Sequence, residues 1–485
     1  MKVKVVFITV LLFCTMKTEL AVKAQTTFVA PTNVALTIYQ LNNDGSLRPF
    51  QCSNGDTFFG CTAYCDNREA LDQHICTGTT ILPYPYSSGT VTLTIDGPAI
   101  LDTNNNGDYS DDAVNAYNPQ QRYLWDVVTR EYGLQLGSQS NKPLAGVAAQ
   151  AIAVRTYIYQ RIANGYSIDN STNFQVFIPY SYVALLPQAA QQDRLLQALK
   201  ARYYVTTTAD DKPIEALYGT DNGAVTRQGK LANGTLIPYR KAVVDPISAA
   251  YGAVDDGTSN GGMSSRGASR WSLGHTSSRG PVAVGQPNYP HDSGGYGDFW
   301  SVRWDNPLQI LTHYYTGIHV RDANNGNAII TPRYRWTPLK MAWPTNNGQP
   351  PNLACSGRPL QVVFWIQNTG TEVWPAGGVI GFNYVDIFSG QTAQASASGA
   401  NLPPTQDIAP GGAYTVTLPY VVPQPPTASA TTVTPYFQMY SGATPFNQVE
   451  PGKFWPAYTP ATIGLVACAK NTFLPLIQQP RVVGQ

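Results

Sequence analysis

The chain has 485 residues, enough for about three domains of common size, and its 31 Lys and Arg against 30 Asp and Glu give a formal net charge of +1. Only 13% of the residues are charged and no concentrated basic run occurs, which excludes the electrostatic footprint of a nucleic-acid binder. Low charge with 42 Gly and 37 Pro suits a rigid, loop-rich extracellular protein.

Lys2 and Lys4 precede the apolar run Val5 to Cys14, and Val22-Lys23-Ala24 offers modest side chains at the spacing a signal peptidase reads. This predicts a signal peptide over 1–24 and a secreted product, extracellular or associated with a cell wall, with a retained N-terminal anchor as the alternative to cleavage near Ala24. Without those residues the balance is 27 basic against 29 acidic. No later stretch approaches the roughly eighteen apolar residues of a membrane-spanning helix.

Six cysteines follow, four crowded as Cys52, Cys61, Cys65 and Cys76, and two far apart as Cys355 and Cys468. The exported setting reads them as disulfides: two bonds among the first four, and Cys355–Cys468 closing the C-terminal segment. That closure contributes about 4–5 kcal/mol in the loop-entropy account. Zinc held by the crowded four with His74 is the alternative.

Residues 25–110 read as β-rich, with alternation in Val34 to Tyr39 and Thr90 to Ile95 and a sheet that can continue into the next unit. Asp102, Asn104, Asn106, Gly107, Asp108 and Ser110 are spaced as in a calcium-binding loop, with Asp111 or Asp112 standing in for the closing glutamate. Structural calcium is therefore a candidate cofactor, and an Asn/Asp/Gly turn is the plain alternative.

Helical periodicity covers 144–163, closed by Asn164-Gly165, and a second helix is expected from Gln188 to Tyr203. Strands are expected at Tyr204 to Thr208 and Ile214 to Tyr218, a functional or structured loop at 257–304, and a final helix at Asn306 to Tyr315. Pro338, Pro344 and the Asn346 to Asn352 stretch read as linker over 326–354. Strands at Gln361, Val379, Tyr414 and Val433 then recur at β-sandwich spacing.

Tyr123-Leu-Trp-Asp-Val-Val-Thr-Arg-Glu131 and Ala149-Gln-Ala-Ile-Ala-Val-Arg-Thr-Tyr157 resemble the stage II sporulation protein D family, also called the amidase-enhancer domain. Phe174-Gln-Val-Phe177, Pro213 to Tyr218, Asp221 to Thr226, Pro238 to Pro246, Gly262-Met-Ser264 with Gly267-Ala268, and Ile310 to Gly317 continue the likeness in order. Asn368 to Gly377, Ile408 to Gly412 and Tyr414-Thr-Val-Thr resemble immunoglobulin-like modules of the central-domain type.

The resemblance implies a multidomain chain. An α+β core at 111–325 follows the 25–110 region, then come the linker, an immunoglobulin-like β-sandwich at 355–470 and a tail at 471–485. It also implies action on peptidoglycan glycan strands, in the enzymes of the family by lytic transglycosylation with a glutamate as general acid/base. That role falls on Glu131, and no cofactor is required for it. Arg155, Ser264, His275 and His291 are candidate supporting or substrate-binding residues, while Glu215 reads as structural. Where the family has Gly-His-Gly before Gly-Met-Ser-Gln, this chain has Thr258-Ser-Asn-Gly261 and Ser265. A non-catalytic glycan binder that enhances a cell-wall amidase or engages another surface protein is therefore the rival, and an adhesin-like structural protein is a third reading.

Overall fold

The computed structural model describes residues 28–37, 90–132, 143–170, 174–177, 188–255, 260–277, 300–330, 333–344, 353–378, 380–389 and 403–442, with shorter pieces between them and 463–466 near the end. Among these residues it is a mixed α/β structure with seven α-helices and many small sheets. No described helix is long and apolar enough to cross a membrane.

Strand β1 (Asn33–Thr37) pairs antiparallel with β2 (Thr90–Thr94), Val34 facing Leu93 and Leu36 facing Val91. The period of two buries Val34, Leu36 and Leu93 on one side. Helices α1 (Tyr123–Tyr132) and α2 (Leu144–Ala163) pack on that side. The expected bounds of α2 hold: Asn164 caps it and Gly165 takes the left-handed conformation at φ +69°. Strand β3 (Ile168–Asp169) then pairs parallel with β1, Ile168 beside Leu36. The N-terminal strands are thus one sheet with the core, sharing a hydrophobic cluster with α1 and α2.

Helices α3 (Ser181–Leu185) and α4 (Ala189–Lys200) lead to β4 (Tyr203–Thr207). α4 stops short of the expected Tyr203 because Arg155 on α2 takes the carbonyls of Leu199, Ala201 and Tyr203 as the helix opens. The expected strand Ile214 to Tyr218 shrinks to β5 (Tyr218–Gly219). Bonds from Ala216 N to Ile214 O and from Leu217 N to Glu215 O curl this backbone locally instead of laddering it. Helix α5 (Pro246–Ala250) is followed by β6 (Met263–Ser264), which pairs parallel with β5, and by α6 (Ser265–Leu273). Part of the expected 257–304 loop is therefore regular structure, and 278–295 lies outside the described residues. Helix α7 (Pro307–Tyr314) starts on an Asn306 cap with Pro307 in its first turn, and β7 (Ile318–Asp322) pairs with β4.

Residues 326–354 are not a bare linker, because β8 (Trp336–Pro344) runs through them and pairs with β9 (Pro359–Asn368). The prolines that suggested a break sit where a strand tolerates them: Pro338 at a register shift and Pro344 at the strand end. β9 also pairs with β11 (Ala413–Val421), while β10 (Ile380–Phe388) and β12 (Thr432–Ser441) pair in a second sheet. The two sheets meet through Phe364 on Phe382, centroids 5.6 Å apart, and Phe364 against Phe437 at 4.8 Å. Trp336, Trp365 and Trp374 are all buried. One hydrophobic cluster runs from α2 through α6 and α7 into these sheets.

Cys355 is disulfide-bonded. Leu353–Cys355 pairs parallel with the strand Ile463–Val466, Cys355 opposite Val466, two residues before Cys468. Cys52, Cys61, Cys76 and Cys468 lie outside the described residues, and of Cys65 only its place in a short strand is described. Peptide mapping without reductant is expected to recover 355 linked to 468. Recovery of Cys355 joined to one of the N-terminal cysteines would refute that pairing.

Candidate functional site

Glu131 is the penultimate residue of α1, and α1 is held on both flanks. Asp126, buried, accepts from the Tyr182 amide at 2.9 Å and the Tyr117 hydroxyl at 2.6 Å. The Arg122 guanidinium lies 3.8 Å over the Trp125 ring. These contacts leave Glu131 half-buried at the C-terminal end of the helix. Its Oε1 accepts from the Val176 amide at 2.7 Å.

Burial pushes the Glu131 carboxyl above the usual carboxylate range, and the Val176 N–H and the Arg130 charge pull it only part of the way back. Tyr123, Tyr157 and Tyr218 each feel the Glu131 charge, and their phenols are raised, chiefly by burial. Gln175 orders two of them. Its Nε2 donates to the Val154 carbonyl and to the Tyr218 hydroxyl, both at 3.1 Å, while Oε1 accepts from the Tyr123 hydroxyl at 3.0 Å. Because a carbonyl only accepts, the amide has one orientation, and Tyr218 keeps its own proton free to donate.

Tyr157 links Glu131 to a second group of charges. Its hydroxyl accepts from Arg161 at 2.9 Å, and Arg161 in turn holds Glu215 at 2.6 Å. Arg240 reaches the other oxygen of Glu215 at 2.9 Å. Arg161 escaped the sequence reading, although it lies four residues after Tyr157 on α2 and so on the same face.

The other expected site residues are placed elsewhere. Arg155 is wholly buried, bonded to Asp96 on the β2 side and to three carbonyls, so it supports the fold and has no face for a substrate. Ser264 caps α6, its Oγ accepting from Gly267 N at 2.8 Å. Gly261 and Gly262 carry φ of +76° and +95°, and a Cβ on Gly262 would run into the Leu217 carbonyl. The Gly-Gly-Met-Ser run thus serves to seat β6 against β5, and with it Tyr218. Ser265, where the family has Gln, donates to Gln150 on α2 at 3.0 Å. His275 lies in a short strand paired with Val302, and His291 lies outside the described residues.

In the 102–112 loop, Asp102 accepts the Asn106 and Gly107 amides, Asn106 accepts the Asp108 amide, and Asp108 accepts the Ser110 amide. Asn104 and Asn106 donate to Asp111, and Asp112 accepts from the Thr103 amide. The turn is self-satisfied apart from the buried Asp112 Oδ2, which has no partner among the described residues. No group of three or more His, Cys, Asp or Glu among those residues is placed to hold a metal ion.

Residues 110–210 match the family model described as "Stage II sporulation protein" (SpoIID), a match consistent with a cell-wall-related function. It takes in α1 to α4 and therefore Glu131, Tyr157, Arg161 and Gln175. No curated protein matches the chain. Among solved structures, the C-terminal domain of wzt is 8% identical at a TM-score of 0.18, covering 28% of this chain and 83% of that one. The CARDB domain of a Pyrococcus furiosus protein, in complex with di-metal ions, is 9% identical at a TM-score of 0.15, covering 28% and 90%. At such scores neither bears on fold or function.

Replacing Arg155 by alanine removes the closest partner of buried Asp96, leaving it Tyr159 and the more distant Arg202, and takes a donor from three carbonyls, an expected loss of about 3 kcal/mol in urea unfolding. Glu131→Gln keeps the shape and removes a raised carboxyl, and is expected to leave stability unchanged or higher. The opposite ranking would reverse the two roles.

Proposed function

We propose that the core acts on the glycan strands of peptidoglycan as a lytic transglycosylase, with Glu131 as general acid/base. The observation that carries this reading is a half-buried carboxyl, raised by burial and bound through one oxygen to the Val176 amide, whose charge is felt by the phenols of Tyr157 and Tyr218. Such a group retains its proton toward neutral pH and can give it to the oxygen leaving between N-acetylmuramic acid and N-acetylglucosamine. The muramic 6-hydroxyl then attacks the anomeric carbon and returns its proton to the Glu131 carboxylate. No water-activating second carboxylate is needed, unlike the pair of a hydrolase.

Three further readings accompany it. The disulfide-bonded Cys355 supports a secreted or cell-wall-associated protein. The two packed antiparallel sheets support an immunoglobulin-like sandwich that presents the core to a surface partner. Calcium in the 102–112 loop is supported by its wrapped oxygens and the unpaired Asp112 Oδ2.

Incubating residues 25–485 with peptidoglycan, and with glycan stripped of its peptides, is expected to yield 1,6-anhydromuramic ends by mass analysis. Glu131→Gln should lower the yield by about 100-fold or more. Since the acid form does the work, the rate should fall as pH rises through the raised Glu131 pKa. Wild-type protein that binds glycan and makes no such ends would support the amidase-enhancing binder instead.

The calcium reading has its own measurement in the thermal midpoint. It should rise with added calcium and fall back with chelator. Equal midpoints would leave the plain turn.

A further inference from the structure

The cleavage step makes no use of the charges beyond Tyr157, yet these are out of balance. Glu215 is the one carboxylate among the described residues paired with Arg161 and Arg240, leaving one positive charge uncompensated. Several guanidinium donors are also unmet: Arg161 Nε and Arg240 Nε and Nη1 are buried without a hydrogen-bond partner among the described residues. Buried donors of this kind cost stability unless an acceptor reaches them. Glu131 does not supply the missing charge, since burial favours its neutral form and the cation acting on it is Arg130.

The surroundings of Arg161 favour a particular kind of visitor. Its guanidinium lies 4.7 Å from the Tyr157 ring centre, 4.8 Å from Tyr166 and 5.8 Å from Phe174. Stacking and the Glu215 bond hold the planar fork in one orientation before any ligand arrives. The side chain is 15% exposed and the neighbouring Tyr166 is 51% exposed, so the cluster opens to solvent on this flank.

We propose that Arg161, oriented by Glu215 and backed by the charge of Arg240, forms an anion subsite next to Tyr157 that takes a carboxylate carried by a sugar. Nη2 of Arg161 is engaged by Tyr157 and Glu215, so the ligand carboxylate is received by the remaining guanidinium donors, and the aromatic rings receive the apolar face of the sugar. The sugar half of this statement rests on the glycan reading of Glu131, whereas the need for an anion rests on the charge count alone. Two sources offer the same chemistry: the lactyl acid of an unsubstituted muramic residue, and the carboxylates of a peptide attached to it.

Ligand-observed NMR titration of residues 25–485 separates these cases with three probes: N-acetylmuramic acid, its methyl ester and N-acetylmuramyl dipeptide. The acid or the dipeptide is expected to bind about tenfold or more tightly than the ester, a difference of about 1.4 kcal/mol. Tighter binding of the acid assigns the lactyl source, and of the dipeptide the peptide source. Arg161→Gln should bring all three to the ester's level. Arg161→Lys, which keeps the charge without the fork, should retain part of the preference and serves if the glutamine variant fails to fold. Glu215→Gln removes negative charge and should preserve or sharpen the preference.

Equal binding of all three probes by the wild type, or no binding of any, overturns the subsite. So does a Glu215→Gln protein of unchanged Tm that loses the preference as fully as Arg161→Gln, which marks the trio as an internal ion network. Glu131→Gln should keep the preference. If anhydro ends are absent while the preference persists, the cleavage reading fails and the subsite stands.

Discussion

Arg155 sits inside the core without exposure to water, and its guanidinium joins pieces of chain far apart in sequence. One side meets Asp96, just past β2, and the other takes the carbonyls of Leu199, Ala201 and Tyr203 where α4 gives way to β4. A buried charge is tolerable only with such a full set of partners. Its helix, α2, is buried on every face from Ala145 to Tyr159, which its small side chains permit. A Cβ on Gly146 would strike the Tyr132 hydroxyl, the Ser272 hydroxyl and the Ala268 carbonyl, so α1, α2 and α6 meet as closely as they do only around glycine.

That arrangement positions the site. α1 lies on α2 with its C-terminal end beside Gln175 and Val176, and Gln175 is itself anchored on the Val154 carbonyl of α2. Tyr157 and Arg161 stand on the same face of α2, one turn apart, and carry the environment of Glu131 toward Glu215 and Arg240. The carboxyl, the phenols and the guanidinium therefore depend on one rigid element. Rigid support is what a group must have if its pKa is to be set by its surroundings.

The C-terminal sheets are not loosely tethered. His313 on α7, buried against Trp271 and Trp304, pairs through Nδ1 with Gln367 on β9 at 2.5 Å, and Gln367 returns a bond to the His313 carbonyl at 3.3 Å. Lys241 reaches the Pro410 carbonyl at 3.2 Å and Arg335 reaches Thr312 at 3.0 Å. Burial lowers the His313 pKa, so this junction holds a neutral imidazole among aromatic rings.

Much of this was legible in the residues themselves. The Ala-rich period of α2, its Asn164-Gly165 stop, the Asn306-Pro307 start of α7 and the alternation of β11 are local signals, because helix and strand periods follow from backbone geometry alone. The ordered fragments from Tyr123 onward resemble the family whose model matches residues 110–210. Other readings failed where local rules meet long-range partners. Pro338 looked like a break and is accommodated at a register shift, and the run Ile214 to Tyr218 looked like a strand and is curled by its own short bonds. Arg155, read as either supporting or substrate-binding, is closed in by Asp96, 59 residues away in sequence, which leaves the supporting half of that reading. What the sequence determined was composition, element periods and the order of motifs. Tertiary structure alone decided that Arg155 is internal and that the N-terminal strands complete the core. It also placed Arg161, Glu215 and Arg240 beside Tyr157, because burial and charge balance are properties of residues brought together from distant parts of the chain.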